Sequence, residues 1–181
     1  LACINYVDVQ IGRLLVELKK RPGNRDTVIV LTSDHGWNLG EKTHWCKAAI
    51  WRDTTRVPFI VVSPGIAEAG LRSNQPISHV DIYPSLCDFA GIPKPTHLEG
   101  RSILPLLKDQ SATRDVAFLS YGPENTAAQS ERYRYLRYED GSEELYDHKK
   151  DPHEWTNLIG NEKYQKLTKK MRAQVLAFQK K

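Results

Sequence analysis

Two apolar runs constrain the fold of this chain more than any other feature. Residues 28–32 (VIVLT) and 57–62 (VPFIVV) consist mostly of β-branched or aromatic residues and show no polar alternation. Such runs are typical of strands that are covered on both faces, as in a parallel sheet. The sequence therefore predicts a sheet that needs helices or further strands on both of its faces.

Helical patterns flank both runs. Apolar residues recur at helical spacing from Ile4 to Leu18, which predicts an amphipathic helix over residues 1–20. After the second run, Ser78 is a candidate N-cap for a helix that ends at Gly91. The order helix, strand, strand, helix predicts an α/β layer architecture.

A different pattern begins near residue 110. Residues 116–121 resemble a strand, and residues 132–138 (RYRYLRY) alternate basic with aromatic or aliphatic side chains, as a half-exposed antiparallel strand does. Asp140-Gly141 predicts a tight turn into a strand at 144–146. The Tyr/Arg strand could serve as a nucleic-acid platform, but one short strand without a wider basic field favours an edge strand instead.

These patterns divide the chain into two parts. Residues 1–110 form the predicted α/β part, and residues 111–181 form a small antiparallel subdomain with a C-terminal amphipathic helix bearing Tyr164 and Phe178. The chain begins at Leu1, without a methionine and inside a helical pattern, which predicts a piece of a longer protein.

Composition excludes several function classes. The formal net charge is +4 and the basic residues are scattered, so no nucleic-acid partner is predicted. No apolar run approaches the roughly 20 residues that a membrane span needs. Three cysteines without CxxC spacing indicate neither a zinc knuckle nor a disulfide scaffold.

The candidate site begins directly after the first apolar run. Asp34 and His35 fall where a strand ends, which is the side of an open α/β sheet that binds ligands. A carboxylate and an imidazole can each donate a lone pair to one metal ion, and Gly36 allows a sharp turn or a close approach. The alternative is that Asp34 caps the next turn and His35 is a satisfied polar residue.

A second group of polar residues follows within one loop length. His44 is a potential proton donor and Lys47 a potential fixed cation for an anionic ligand, although Lys47 alone would be an ordinary surface lysine. Cys46 is predicted to be packed rather than reactive, since no base can be assigned to it. Trp37 and Trp45 either wall a pocket or cover a sheet edge.

Four ordered blocks resemble one family. They are INYVDVQIGRLL; VIVLTSDHGWNLGEKTHWCK with TRVPFIVVSPG; ISHVDIYPSLCDFAGIPKPTHLEGRSILPLL; and RYLRYEDGSEELYDHKKDPHEWTNL. Together they resemble the C-terminal half of the formylglycine-dependent sulfatases, in the branch that includes iduronate-2-sulfatase. These enzymes belong to the alkaline-phosphatase superfamily, so residues 1–110 would be part of a sulfatase α/β domain.

The resemblance implies roles for individual residues. Asp34 and His35 match the family's second pair of calcium ligands, and Lys47 matches a lysine that contacts the sulfate group. His44 lies where relatives vary, so a role as substrate contact or acid is a hypothesis. Calcium prefers oxygen donors, and the residues alone would favour zinc.

The family's nucleophile is not in this sequence. Sulfatases use a cysteine in Cys-x-Pro-Ser-Arg that is oxidised to formylglycine, and neither this motif nor the family's paired N-terminal aspartates occurs here. The resemblance therefore implies formylglycine upstream of this chain, an inactive isolated fragment, and an N-terminal half or self-association to complete the fold. It further implies a sulfated small molecule or glycan as substrate and, weakly, a periplasmic, secreted or lysosome-like compartment.

Two other functions stay open on the sequence. Asp-His-Gly after a buried strand also serves metal-dependent phosphatases, phosphodiesterases and phosphonate hydrolases of the same superfamily. A non-catalytic binding module is the second alternative.

Overall fold

Helix α1 spans Ala2–Lys19, in agreement with the helix predicted over residues 1–20. The computed structural model of the chain describes residues 1–180. Within those residues, α1 has no buried side chain, and Ile4 and Leu14 are about 70% exposed on it. Among the same residues, no helix combines the length and the apolar character that a membrane span requires.

The two apolar runs form strands that pair with each other. Strand β1 spans Ile29–Thr32 and β4 spans Phe59–Val62. They run antiparallel, with Thr32 opposite Phe59, so the prediction of parallel strands is wrong. The physical reason is the connection, which contains no crossover helix of the length that parallel pairing needs.

Short elements make up that connection. They are β2 (Asn38–Leu39), β3 (Trp45–Cys46) and the single helical turn α2 (Arg52–Thr55). Strands β2 and β3 pair antiparallel, with Asn38 opposite Cys46. In the described part of the chain, the β1–β4 ladder is only half covered, and Ile60 and Val62 of β4 are exposed.

The predicted helix after Ser78 is confirmed. A short 3₁₀ turn leads into α3 (Ile82–Ala90), and the Ser78 backbone N–H donates to the Asp81 carboxylate at 2.9 Å. Gly91 ends the helix at φ 64°, a left-handed conformation that glycine adopts without strain. A further short helix, α4, spans Leu104–Lys108.

Residues beyond 110 form a four-stranded antiparallel sheet with one helix against it. Its elements are β5 (Ala117–Tyr121), β6 (Asn125–Gln129), β7 (Tyr133–Arg137), β8 (Glu143–Asp147) and α5 (Gln165–Gln179). The strand order is β5-β6-β7-β8. The hairpin predicted at Asp140-Gly141 is confirmed, because it joins β7 to β8.

Strand β7 lies inside this sheet, so the prediction of an edge strand is wrong. The alternation of Arg and Tyr indicated a half-exposed strand, but Tyr135 and Leu136 are fully buried on opposite faces. Tyr135 packs toward Met171 of α5, whereas Leu136 belongs to a second core cluster with Ile50. The sheet therefore has two covered faces, one under α5 and one under the segment around residue 50.

The contact with that segment centres on a buried ion pair. Arg134 donates to the Ile50 carbonyl at 2.6 Å and to Thr55 Oγ1 at 2.8 Å. Its guanidinium lies 3.6 Å from the Glu154 carboxylate, which also accepts from the Arg52 backbone N–H at 2.9 Å. Both charged side chains are buried, so each depends on the other for compensation.

Glu154 is held ionised by its surroundings. Burial opposes ionisation, but the hydrogen bond from His148, the positive charge of Arg134 and the N–H of Arg52 together hold the pKa of Glu154 below its ordinary value. The His148 Nε2–H donates to it at 2.7 Å. Glu154 keeps a positive φ of 60°, which a non-glycine residue rarely adopts without such partners.

We predict that Arg134→Met lowers the free energy of unfolding by about 3 kcal/mol, since it leaves the buried Glu154 carboxylate without its cationic partner, held only by His148 and the Arg52 N–H. Because the pKa of Glu154 is lowered on folding, its contribution is present above its ordinary pKa of 4.5 and is lost as pH falls through the folded value. The loss of unfolding free energy caused by Arg134→Met, measured by urea unfolding, should therefore become smaller below pH 4.5.

The matched control is Lys170→Met, which breaks the exposed Lys170–Asp115 pair. Water screens that pair, so the variant should lose much less stability. Equal losses in the two variants would contradict a special role for Arg134.

Candidate active site

The loop after β1 places Asp34 and His35 at the end of the strand. The His35 backbone N–H donates to Asp34 Oδ1 at 3.0 Å, and Ser33 Oγ donates to the His35 carbonyl at 3.0 Å. Desolvation opposes ionisation of Asp34, but the His35 N–H, the nearby His35 ring and the Asp34 N–H together outweigh it and hold the pKa of Asp34 below its ordinary value. Asp34 is thus an exposed carboxylate with a fixed orientation.

The imidazole of His35 has a defined tautomer. Its Nδ1 lies 2.7 Å from the Gly36 carbonyl, which can only accept, so Nδ1 carries a proton. The remaining nitrogen, Nε2, lies 3.3 Å from Asp34 Oδ2. A backbone carbonyl that fixes one ring nitrogen and leaves the other for a ligand is the usual arrangement of metal-binding histidines.

These two atoms fit one divalent cation. A carboxylate oxygen and an imidazole nitrogen that lie side by side provide two adjacent ligands, and their chemistry suits zinc at least as well as calcium. Among residues 1–180 no cluster of three or more potential metal-binding side chains occurs. A metal ion at this pair would therefore need further ligands from elsewhere.

Gly36 brings this loop against the turn at residues 53–54. The Gly36 N–H donates to the Thr54 carbonyl at 2.6 Å, and the Trp37 N–H donates to the Asp53 carbonyl at 3.0 Å. A Cβ on Gly36 would lie 2.0 Å from the Asp53 carbonyl oxygen. The glycine predicted to allow a close approach thus permits this backbone contact.

Lys47 lies in the same cleft as Asp34 and His35. The cleft is open, with a volume of about 1260 Å³, and its far wall comes from the C-terminal sheet and the segment around His148. Three of the four predicted site residues are therefore brought together.

His44 lies in the same loop as Lys47 but its ring is directed elsewhere. Its Nε2 lies 2.9 Å from the Lys47 carbonyl, and its ring packs edge-on against Trp51 with centroids 5.8 Å apart. In this position the imidazole of His44 is hydrogen-bonded to the backbone of Lys47. Its role as acid or substrate contact stays a prediction.

The loop that carries His44 and Lys47 has a strained backbone. Four non-glycine residues have positive φ: Lys42 (52°), Thr43 (58°), Cys46 (71°) and Ala48 (75°). Each such conformation costs on the order of 1 kcal/mol and persists only where the surroundings hold it, which is common at functional sites. Cys46 is exposed, so the prediction that it is packed is wrong.

The two tryptophans of this region have different surroundings. Trp37 stacks against His35 with ring centroids 6.1 Å apart. Trp45 is exposed and covers Gly40, since a Cβ on that glycine would lie 3.3 Å from the indole.

The cleft carries more positive charge than the sequence motif indicated. Its lysines and arginines are Lys47, Arg52, Arg56, Arg132, Arg134 and Lys149, against the carboxylates Asp34 and Glu131. Among residues 1–180, no carboxylate lies within ion-pair distance of Lys47, Arg56 or Lys149. These three cations are available to an anionic ligand.

Arg56 was not among the predicted site residues, because the two apolar runs were expected to pair in parallel. Arg56 precedes β4, and in a parallel sheet the start of β4 would lie far from the end of β1. The antiparallel register places Phe59 opposite Thr32, so Arg56 lies at the same end as Asp34. The Arg-Val-Pro pattern before the second run was the available signal.

Comparison with known proteins identifies the family. The C-terminal family of N-sulphoglucosamine sulphohydrolase matches residues 40–181. The chain belongs to the sulfatase family. This membership confirms the family-level resemblance, whereas the narrower placement in the iduronate-2-sulfatase branch stays a prediction.

Individual sulfatases are similar over nearly the whole chain. A sulfatase of Formosa agariphila is 36% identical over 174 residues, which cover 96% of this chain and 34% of that protein. An N-acetylglucosamine-6-O-sulfatase of Bacteroides thetaiotaomicron is 34% identical over 94% of this chain and 33% of its own length. The chain thus spans about a third of the length of these curated relatives.

Solved structures share the fold. A 2-O glycosaminoglycan sulfatase has a TM-score of 0.82 at 31% identity, over 95% of this chain and 40% of its own. A protein bound to its substrate D-glucosamine-2-N,6-O-disulfate has a TM-score of 0.81 at 29% identity, over 98% and 39%. The phosphonate monoester hydrolase of Agrobacterium radiobacter has a TM-score of 0.77 at 29% identity, over 96% and 39%. The predicted α/β class with a small antiparallel sheet and terminal helix is confirmed.

We predict that Gly36→Ala destabilises this sulfatase chain by about 1–3 kcal/mol, because the added methyl group forces the Asp34–His35 loop away from the turn at 53–54. The matched control is Gly12→Ala, since a Cβ there meets nothing within 4 Å. That variant should gain about 0.5–1 kcal/mol from higher helix propensity. Urea unfolding of both variants checks the pair, and an unaffected Gly36→Ala protein would contradict the close approach.

Proposed function

We propose that this chain provides part of the metal site and the sulfate-binding cations of a sulfatase that hydrolyses a sulfated glycan. The observation that carries the proposal is the cleft that Asp34, His35 and Lys47 share, with its excess of unpaired cations. Since the chain spans about a third of its relatives, the activity belongs to the full-length protein, and the isolated chain is expected to be inactive.

The proposed roles follow from the chemistry of each side chain. Asp34 Oδ2 and His35 Nε2 hold a divalent cation, which is calcium if the family resemblance holds. A bound cation would stabilise negative charge on the sulfate. A formylglycine from outside this chain would supply the nucleophile. Lys47 places a fixed positive charge on the sulfate oxygens, where preorganised cations stabilise developing negative charge.

His44 has a secondary role in this proposal. Its ring holds the Lys47 carbonyl, so its first effect is on the position of that residue. A direct contact with substrate, as the sequence suggested, requires the ring to leave Trp51.

A polyanionic glycan suits the charge of the cleft. Arg56 and Lys149 line it without an ionic partner among the described residues, so they can bind a second sulfate or a carboxylate of the same molecule. The neighbour that binds a disulfated glucosamine supports this substrate class. The family resemblance favours a periplasmic, secreted or lysosome-like compartment.

The exposed apolar surface requires a covering partner. Helix α1 has no buried residue within the described chain, and Ile60 and Val62 of β4 are also exposed. An exposed apolar surface of this kind marks an interaction site. We propose that the N-terminal part of the full-length protein covers it, with self-association as the alternative for the isolated chain.

A second candidate is phosphonate or phosphate ester hydrolysis. The structural likeness to a phosphonate monoester hydrolase favours it specifically. The upstream nucleophile distinguishes the two: peptide mass spectrometry of the full-length protein should find Cys-x-Pro-Ser-Arg with the cysteine converted to formylglycine. A serine or threonine nucleophile would favour phosphate chemistry, and no nucleophile at all would favour a binding module.

We predict that Lys47→Ala in the full-length enzyme lowers kcat by about 100- to 1000-fold, the loss typical for one donor to a developing anion. His44→Ala should lose less, because it only loosens the Lys47 carbonyl. Lys94→Ala, which removes the partner of Asp88 outside the cleft, is the control and should keep normal kinetics. Near-normal turnover of Lys47→Ala would remove this lysine from the site.

We also predict that Lys149→Ala and Arg56→Ala raise KM for a disulfated glycan more than for a monosulfated aryl ester, because only the glycan offers a second anion. The control is the neighbouring Lys150→Ala, since Lys150 does not line the cleft. Steady-state kinetics with both substrates provide the measurement. Equal changes for the two substrates would contradict a second anion contact.

A further inference from the structure

Lys42 lies at the start of the strained loop, but its side chain points away from the cleft. Its Nζ donates to Tyr146 Oη of the C-terminal sheet at 2.8 Å. This contact joins residues 104 positions apart in the chain. Lys42 thus ties the loop that carries Lys47 to β8.

Two aromatic rings surround the Lys42 ammonium group. Its Nζ lies 4.6 Å from the ring centroid of Tyr146 and 5.1 Å from that of Trp51. Both distances are within the range of cation–π attraction, which increases as the cation is shielded from water. Lys42 is only partly exposed, in contrast to Lys47.

Glu144 closes the network. Tyr146 Oη donates to Glu144 Oε2 at 2.9 Å, and Trp51 Nε1 donates to the same oxygen at 2.8 Å. Burial, with Glu144 nearby, raises the pKa of Tyr146, so its hydroxyl keeps the proton that it donates. Glu144 therefore fixes the orientation of both aromatic side chains that surround Lys42.

Both ends of the loop depend on Trp51. Lys42 lies over its ring at one end, and His44, which holds the Lys47 carbonyl, packs against it edge-on. Between these points the backbone has the positive φ values of Lys42, Thr43 and Cys46, which need external support.

We propose that Lys42 is a positioning residue for Lys47: by binding Trp51 and Tyr146 it fixes the strained loop and so holds the Lys47 ammonium group at the sulfate. This inference rests on the proposed function, in which Lys47 binds the sulfate. Through Lys42, the C-terminal sheet then affects the position of Lys47 and so the reaction.

The test uses Lys42→Met and Lys42→Arg in the full-length enzyme, each in the wild-type and in the Lys47→Ala background. Methionine fills the space without charge or N–H, whereas arginine retains both. A misplacement of about 1 Å can cost about 100-fold, so Lys42→Met should lower kcat by up to that factor with little change in KM. Lys42→Arg should restore most of the activity.

The double variant separates positioning from general structure. If Lys42 acts through Lys47, Lys42→Met should change the residual activity of Lys47→Ala less than about twofold, because coupled residues are not additive. An equal loss in both backgrounds, or normal kcat in Lys42→Met, would overturn the proposal.

Amide hydrogen exchange gives a readout that does not need activity. Lys42→Met should speed exchange in residues 41–48, and Lys42→Arg should not. Unchanged exchange in Lys42→Met overturns the proposal whatever the kinetics. A wild-type enzyme without sulfatase activity overturns the proposed function alone, and the exchange result then decides whether Lys42 anchors the loop.

Discussion

The buried pair of Arg134 and Glu154 is the interaction on which the candidate site depends. These two residues hold the turn from Ile50 to Thr55 through the Ile50 carbonyl, the Thr55 hydroxyl and the N–H of Arg52. A buried ion pair of this kind adds little net stability but makes the removal of either partner costly. Its effect here is geometric, because it fixes one turn against the C-terminal sheet.

The turn at residues 50–55 also supports both loops of the site, the one after β1 and the one that carries Lys47. Its backbone accepts the N–H groups of Gly36 and Trp37 and so positions Asp34 and His35. Trp51 of this turn lies under Lys42 and beside His44, whose ring contacts the Lys47 carbonyl. Asp34 and His35 on one side and Lys47 on the other are therefore placed relative to each other by a single element. The C-terminal sheet carries none of the four predicted site residues, yet it holds the turn that positions them.

The sequence was informative where local chemistry decides the structure. The ends of α1 and α3, the hairpin at Asp140-Gly141 and the shared cleft of Asp34, His35 and Lys47 all follow from patterns that act over a few residues. Pairing partners were not readable in this way, so the antiparallel register of β1 and β4, and with it Arg56, was missed. Strand β6 (NTAAQ) was also missed, because its small residues have low strand propensity and are fixed only by burial under α5 and against the segment around Ile50. Strand β7 resembled an edge because Arg134 is charged, and only the tertiary structure provides its buried partner.

The most direct test of this account is a crystal structure of the full-length protein with a divalent metal and a sulfated glycan bound. The account predicts one metal ion bound by both Asp34 Oδ2 and His35 Nε2. It also predicts Lys47 Nζ within hydrogen-bond distance of a sulfate oxygen, and Lys42 still between Trp51 and Tyr146. A metal bound elsewhere, or a sulfate group without contact to Lys47, would contradict it.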